Sequence, residues 1–362
     1  MVDPTSVLTL LLIAFVGGAF GAAIGALPAL SLAGVVVAIG ELHNIAQGYP
    51  AAPSADLTVL GASGLTGSVG LAPGLGPHVA FAGGAAAAAF AGRRGFTETT
   101  FEYHDAKAIQ RPLGARPGAL VAGGAFGVLG VLLVTLSVTL RLPWDPIAFS
   151  IVVSALLHRI AFGYPLFGAV RGATRLDMTP FERRERRSPL VEEDEISDRH
   201  AFSRRYAVEP WLPYQSQWGR LVLLGALVGG FSAFLTYRTA SPFLAFGIAL
   251  AALAFVSLGV RNVPVTYHMA LPASFAVVGL AGGATTATGF AAGVTVSTAL
   301  LVGVSFGIVC ALVGELSQRA LYAHADTHLD PPAVAIVVGT FLIAVFDVVG
   351  VFDQYMLPTL GL

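Results

Sequence analysis

The sequence predicts an all-α, polytopic integral membrane protein with about nine to eleven transmembrane or re-entrant segments, at about 20 residues per crossing. Of its 362 residues, 55% are hydrophobic and only 11% are charged, and the mean hydropathy is +0.77. A soluble domain carries roughly a quarter charged residues. The 43 glycines favour helices that approach each other closely through small residues.

The chain alternates between long apolar runs and polar connections. The apolar runs are residues 6–24, 27–44, 58–92, 117–140, 146–170, 219–236, 241–260, 270–290, 293–321 and 332–352. The run 58–92 is too long for one crossing and too short for two. The pair 270–290 and 293–321 fits two crossings, or one re-entrant hairpin followed by a long helix.

The run 58–92 contains Pro73 and Pro77, so a continuous helix there would lose backbone hydrogen bonds. Unpaired backbone groups are costly in hydrocarbon, and broken backbone survives there only inside protein or beside water. We therefore predict a half-helix over about 58–70, a bent loop and a second helix over about 78–92. Such an interrupted segment is typical of a transporter's binding site, and a kinked, tightly packed helix is the alternative.

Two internal repeats with broken helices are predicted on either side of one polar region. Residues 11–18 and 223–230 share six of eight residues at an offset of 212. Further matches at an offset of 215 are 64–67 with 279–282, Gly74 with Gly289, Gly92 with Gly307, Pro117 with Pro332 and Phe126 with Phe341. The predicted domains are repeat 1 (1–140), a linker transmembrane helix (141–170), a charged cytoplasmic loop (171–217) and repeat 2 (218–362).

Basic residues in short loops favour the cytoplasmic side of a membrane. Loop 93–116 carries five of them and loop 171–217 begins Arg-rich, so both are expected in the cytoplasm. Loop 41–57 has two acidic residues and no Lys or Arg, so it is expected outside. The predicted counterpart of loop 93–116 is 320–331, which has no Lys or Arg. This asymmetry favours inverted repeats over parallel ones.

The predicted counterpart of the broken segment, residues 279–293, has threonines in place of the prolines. The predicted substrate-binding residues are Gly74, Gly76, His78, Thr285, Thr286, Thr288 and Gly289. Threonine hydroxyls and freed N–H groups at half-helix N-termini would form a donor-rich site for an anion or a carboxylate. The alternatives are hydroxyls that bond back within one helix and a His78 satisfied at a membrane interface.

Three further residues are candidates for proton or ion coupling, because intramembrane ionisable groups are functional candidates by default. Glu315, Asp347 and His158 each lie in or beside an apolar run. An i,i+4 pair with Arg319 is the alternative for Glu315. Asp347 lies close to a helix end, and His158 could instead pair across helices.

Nothing in the sequence indicates an enzyme, a cofactor or a metal site. It has no nucleophile elbow, zinc motif or phosphate loop, and the single Cys310 builds no metal or redox motif. The net charge of −1 gives no reason to expect nucleic acid. The expected partners are membrane lipid, a small-molecule or ion substrate, and further copies of the chain in a homo-oligomer.

Residues 69–77, VGLAPGLGP, resemble the Gly/Pro loop of the large membrane subunit of tripartite tricarboxylate transporters, which has a similar PGLGP loop. Residues 27–30, LPAL, are a fainter echo. The strict match covers five residues, that subunit is considerably longer, and residues 279–293 have no PGLGP. The resemblance implies carboxylate transport by broken helices in inverted repeats.

The leading prediction is a secondary transporter or permease of the cell membrane that moves a small solute by alternating access between the two repeats. One alternative is a channel, an oligomer whose small residues line a water path. The other is a non-transporting scaffold that docks a partner through loop 171–217. The simplest interpretation of that loop is a solvated segment with a short helix.

The orientation can be tested with a cysteine introduced at Ser188 in a Cys310→Ala background. Because the Arg excess places loop 171–217 in the cytoplasm, an impermeant thiol reagent should label this cysteine only after the cells are opened. Labelling from outside intact cells would show that the orientation is reversed.

Overall fold

The computed structural model describes residues 4–48, 62–96, 102–187, 205–282, 284 and 286–353. Within them the chain is a bundle of helices without a β-strand, which confirms the predicted all-α fold. The helices are α1 (Pro4–Ile24), α2 (Ala26–Gln47), α3 (Ala80–Arg93), α4 (Pro117–Thr139), α5 (Pro146–Ala161), α6 (Trp218–Thr239), α7 (Leu244–Ala251), α8 (Leu253–Ser257), α9 (Tyr267–Leu280), α10 (Ala287–Gly293), α11 (Val296–Ser317) and α12 (Pro331–Val348). Single helical turns lie in the connections, among them Thr179–Glu182.

In the described part of the chain, six helices are long and apolar enough to cross a membrane, judged by length and composition. They are α1, α2, α4, α6, α11 with the wider turn that extends it to Tyr322, and α12. Three shorter apolar helices are α5, α9 and the α7–α8 pair. The chain is therefore an integral membrane protein that combines full-length helices with shorter ones.

The predicted break in run 58–92 is confirmed for its described part. A π-helical turn, Thr66–Gly70, is followed by irregular backbone over residues 71–79, here called the break, and then by α3. Short-range bonds hold the break, since Gly76 N–H donates to Ala72 O at 2.7 Å and Ala82 N–H donates to Pro77 O at 3.0 Å. Both prolines fall where the helical ladder is already interrupted, which is where proline is tolerated.

Several predicted boundaries need correction. The linker helix ends at Ala161 and does not run to residue 170, because Gly163 follows with φ +74° and the chain turns. The run 270–290 is not a single crossing helix, because it divides into α9 and α10, two short helices that precede the long α11. Loop 171–217 is not simply solvated, because its described ends pack against the rest of the protein.

One face of the bundle, here called the ionic face, is formed by segments 102–116, 162–187, 205–217 and 318–330. Lys107 Nζ lies 2.8 Å from Glu209 Oε2 and donates to Tyr322 O at 3.0 Å. Residues 107 and 322 therefore lie on the same side of the protein. The expectation that loops 93–116 and 320–331 lie on opposite sides is wrong.

Contacts with the ionic face fix the direction of each helix. The C-terminal end of α1 meets it, because Leu113 N–H donates to Ala22 O at 3.3 Å. Helix α4 leaves it and α5 returns, since Arg159 near the end of α5 donates to Leu321 O at 2.8 Å. In the second half α6 starts on the ionic face, α11 returns to it and α12 leaves it again.

Glycines allow the longest helices to pack with their backbones in contact. On α6, a Cβ added to Gly229 would collide with the carbonyl group of Gly303 on α11. In the first half, a Cβ on Gly18 would collide with the carbonyl oxygen of Gly123 on α4. Small residues drive helix association in membranes, where the hydrophobic effect contributes little between helices.

The α6–α11 contact predicts different effects for two valine substitutions on α6. Gly229→Val should lower thermal stability by about 1–3 kcal/mol, because overpacking forces the two backbones apart. Gly219→Val is the matched control, since nothing lies within 4 Å of a Cβ at that position. Thermal unfolding of both purified variants in one detergent gives the comparison, and equal midpoints would exclude the close contact.

Candidate functional site

A small cavity lined by buried residues lies between the two halves of the bundle and is the candidate site. Its walls come from α2, the break, α3, α5, α7, α9 and α12. The polar or broken-backbone groups in its wall are Pro77, Asp145, Tyr267 and Asp330, and the remaining lining is apolar. About 30 Å³ is open to the centre of a water molecule, which is room for two or three waters at about 10–15 Å³ each.

Two helices begin at this central cavity, each with an Asp-Pro pair. Asp145 accepts a bond from Ala148 N–H at 2.7 Å, and Asp330 accepts one from Ala333 N–H at 3.0 Å. An aspartate N-cap followed by proline at the first helical position is a favoured helix start. Both carboxylates are buried, with 1% and 2% of their surface exposed, so the caps satisfy N–H groups that water does not reach.

The two capped helices run antiparallel. Thr340 in the middle of α12 accepts from Asp145 N–H at 2.9 Å. At the other end of α5, His158 Nε2 lies 3.1 Å from Thr327 Oγ1, just before α12. Helix α5 therefore starts about 15 Å along α12, at 1.5 Å per residue, well inside the bundle.

Asp330 belongs to a cluster with Tyr267 and His328. Tyr267 donates its hydroxyl hydrogen to Asp330 Oδ2 at 2.6 Å. The other oxygen, Asp330 Oδ1, and both ring nitrogens of His328 have no hydrogen-bond partner among the described residues. His328 Nε2 lies 3.8 Å from Asp330 Oδ1. Unsatisfied buried polar groups are uncommon in native proteins and call for an explanation.

A second buried carboxylate, Glu41, joins three elements on the side away from the ionic face. It accepts from Thr66 Oγ1 at 2.7 Å and from Ser241 Oγ at 2.5 Å, and Asn44 Nδ2 lies 3.4 Å away. Sequence analysis assigned this residue to the outer loop 41–57, but it is 5% exposed on α2. Its hydroxyl donors tie α2 to the turn before the break and to the start of α7.

On the ionic face, buried charges join three separate segments. Arg205 Nε lies 2.7 Å from Glu209 Oε1, and Arg205 Nη2 lies 3.0 Å from Asp326 Oδ1. Burial acts to raise the pKa of Glu209, but Arg205 and Lys107 outweigh burial and hold it below its usual range. Burial lowers the pKa of Lys107 to about 8, so both partners are charged at neutral pH.

The predicted binding residues do not all meet. The break places His78 in the bundle, 1% exposed, where its carbonyl oxygen packs against Gly130 of α4. Gly74 faces α1 instead, beside Gly17 and Ile13, at an outer groove. Gly76 is enclosed by its own loop, next to Ala72 O and the His78 ring. Of the break, Leu71 and Pro77 reach the central cavity.

The threonine segment lies apart from that cavity. Thr286 and Thr288 are exposed, and neither they nor Gly289 is in the cavity wall. Thr286 Oγ1 accepts from Gly289 N–H at 3.2 Å, which makes it the N-cap of α10. Thr285 lies outside the described residues. A shared site between the break and this segment gains no support from these contacts.

Two of the coupling candidates have found local partners. Glu315 Oε1 lies 2.6 Å from Arg319 Nε, the i,i+4 pair named as the alternative, and His158 contacts Thr327 across helices. Asp347 is half-buried near the end of α12. None of the three is in the wall of the central cavity.

Sequence reasoning missed the residues that do line this cavity. Asp145, Tyr267 and Asp330 were not singled out, because an Asp-Pro pair before an apolar run is also an ordinary helix start. The signal in the sequence was that the Asp-Pro pair occurs twice, as Asp145-Pro146 and as Asp330-Pro331. In both places an alanine follows three residues after the aspartate and an isoleucine follows six residues after it.

The fold and the cavity define a polytopic helical membrane protein with a buried cavity between two halves, whose wall contains two aspartates. The chain belongs to a family of unknown function, DUF7973, whose model matches residues 1–360. No curated protein and no solved structure matches it.

The ionic face gives a stability prediction. Lys107→Met should destabilise the protein by about 3–5 kcal/mol, because removing one member of a buried ion pair leaves the other charge uncompensated. Adding Glu209→Gln should restore part of that loss, and thermal unfolding measures both.

Arg186→Met is the control, since Arg186 and Glu102 form a pair that is about half exposed and such pairs contribute little. An unfolding midpoint for Lys107→Met equal to that of the Arg186 variant would contradict the buried network.

Proposed function

We propose that the chain is a secondary transporter that moves a small solute by alternating access around the central cavity. The observation that carries this proposal is a buried, partly polar cavity in whose wall two helices begin at matching Asp-Pro caps, one from each half of the chain. Interrupted helices that start at a central site are typical of transporters built from repeats.

The repeat is supported by a revised register. The match of 11–18 with 223–230 is kept and pairs α1 with α6. An offset of 180 then pairs α4 with α11 and matches Ala119/Ala299, Leu120/Leu300, Gly123/Gly303, Phe126/Phe306 and Gly127/Gly307. An offset of 185 pairs α5 with α12 and matches Asp145/Asp330, Pro146/Pro331, Ala148/Ala333 and Ile151/Ile336.

The paired helices make similar contacts, displaced by one residue from the match of 11–18 with 223–230. Gly18 of α1 meets Gly123 and Gly127 of α4. Gly229 of α6, one residue before the position that matches Gly18, meets Gly303 and Gly307. Helix α5, formerly the linker, becomes the last helix of the first repeat. For residues after the break, the matches at offsets of 180 and 185 replace the sequence matches at an offset of 215.

The same pairing makes the repeats inverted. Helix α1 runs toward the ionic face and α6 runs away from it, and α5 and α12 are antiparallel. Inverted repeats allow the two halves to exchange conformations, which opens the site first to one side and then to the other. We place the ionic face in the cytoplasm, because loops 93–116 and 171–217 carry the Arg excess.

The cavity wall favours a neutral or cationic solute over the anion or carboxylate expected from sequence. Among the residues that the structure describes, the wall contains two carboxylates and no Lys or Arg. The helix N-termini that would bind an anion are already capped by Asp145 and Asp330. An unpaired anion buried beside two carboxylates would be strongly disfavoured.

The scaffold alternative is less favoured by the same structure. The contacts of Arg187, Arg205 and Glu209 within the protein leave less of loop 171–217 for docking a partner.

Alternating access predicts that cavity residues are reached from both sides. In a Cys310→Ala background, Ala148→Cys and Ala333→Cys should each react with an impermeant thiol reagent added to either side of oriented proteoliposomes. Both positions line the central cavity, so opening on each side exposes them in turn.

Ala335→Cys is the matched control on the same helix, because it is fully buried against Cys310 and should remain unlabelled. Labelling of residues 148 and 333 from one side only would argue against transport by alternating access. Single-channel currents in bilayers containing the unmodified protein would indicate a channel.

A further inference from the structure

We propose that the Asp330–His328 pair is a proton-binding site that couples proton uptake to opening of the central cavity, an inference that rests on the proposed transporter function. The pair combines a carboxylate in the cavity wall with an imidazole directly behind it. Neither Glu315 nor His158 offers this combination, because each already has a partner outside the cavity.

The geometry around His328 is arranged for a change in protonation. Its ring lies among three aromatic rings, with centroid distances of 5.8 Å to Phe81, 5.6 Å to Trp211 and 5.4 Å to Tyr322. All three ring pairs are T-shaped, so aromatic rings surround the imidazole where it is buried. The distance of 3.8 Å from Nε2 to Asp330 Oδ1 is about 1 Å longer than a charge-assisted hydrogen bond, so a small movement closes it.

A proton would satisfy atoms that are otherwise without partners. In the closed form Asp330 Oδ1 and both His328 nitrogens make no hydrogen bond to the described part of the chain. The side chain of His328 is 1% exposed, so solvent does not compensate. In a form that admits water, a protonated imidazole donates from Nε2 to Asp330 Oδ1 and from Nδ1 to water, so protonation favours that form over the closed one.

The charges that face His328 come from several elements. Asp330 favours its protonated form, whereas Lys107 of segment 102–116 and Arg159 of α5 oppose it. His158 on α5 also interacts with His328. Tyr322 contacts both His328 and Lys107, and the Lys107 Nζ atom lies 4.3 Å from the centroid of the Tyr322 ring. This arrangement links the cavity wall to the ionic face.

The sign of the pH effect follows from burial. Burial is the largest influence and lowers the pKa of His328 below its ordinary value, against the opposing effect of Asp330. The closed form therefore holds His328 neutral. A form that admits water to the pair restores a pKa near the ordinary value of about 6.5. Each pH unit below that value then shifts the open-to-closed ratio up to about tenfold toward the open form.

Trp211 provides a local reporter, because a protonated imidazole beside an indole ring changes its emission. In a Trp144→Phe, Trp218→Phe background only Trp211 remains of the three tryptophans. Its fluorescence is followed in lipid nanodiscs from pH 8 to pH 5, with size-exclusion profiles confirming that each variant is folded. We expect one titration step, which His328→Gln removes and Asp330→Asn moves to lower pH by destabilising the cation.

His268→Gln is the stringent control, because His268 lines a second small cavity together with Trp211 and should leave the step in place. A step that persists in His328→Gln, or is lost in His268→Gln alone, overturns the proposal. The titration is repeated with choline chloride in place of sodium chloride at equal ionic strength. An unchanged midpoint supports the proton, and a midpoint that follows Na⁺ overturns it in favour of sodium.

This readout needs no transported solute and therefore separates the two proposals. A His328-dependent step in a protein whose cavity is labelled from one side only would keep the proton site and reject the transporter. Labelling of the cavity from both sides, without a His328-dependent titration step, would support the transporter and reject the proton site.

Discussion

The structure depends on one constraint: two helices begin inside the protein, where water does not supply partners for their first N–H groups. The four N-terminal N–H groups of a helix need acceptors, and in a membrane such groups are satisfied within the protein. Asp145 and Asp330 meet part of this need and bring two carboxylates to the wall of one cavity. The prolines that follow remove a further N–H group from each first turn. The same residues therefore start the helices and make the cavity polar.

The halves around this cavity are held together differently at its two ends. On the ionic face, Lys107, Glu209, Arg205 and Asp326 connect segments that are far apart in sequence through buried ion pairs. On the opposite side, Glu41 connects α2, Thr66 and Ser241 through neutral hydroxyl donors. Opening toward either side would have to separate one of these groups while the other stays intact. The structure shows a form of the protein in which the ion pairs on the ionic face and the Glu41 hydrogen bonds are both intact.

Much of the fold could be predicted from the sequence, because hydropathy and proline position act locally. The break at Pro73 and Pro77 and helix α3 lie where they were expected. The site could not be predicted in the same way, since Asp145 and Asp330 are separated by 185 positions and reach the wall of one cavity only through antiparallel packing of α5 and α12. The Gly/Pro loop and the threonine segment attracted attention through composition, yet Gly74 faces α1 and Thr286 is an exposed helix cap. In the proposed register, matches at offsets of 180 and 185 replace the glycine matches at 215, because connecting loops of different length shift the offset along the chain.

The central claim is that the two inverted halves exchange conformations around the cavity. Pulsed electron paramagnetic resonance tests it most directly, with one spin-label pair at Ala161 and Arg261 on the ionic face and a second at Val138 and Val351 on the opposite side. All four residues are exposed. The account predicts two distances for each pair, with populations that change in opposite directions as the pH is lowered from 8 to 5. A single fixed distance for both pairs, or a simultaneous increase in both, would contradict alternating access.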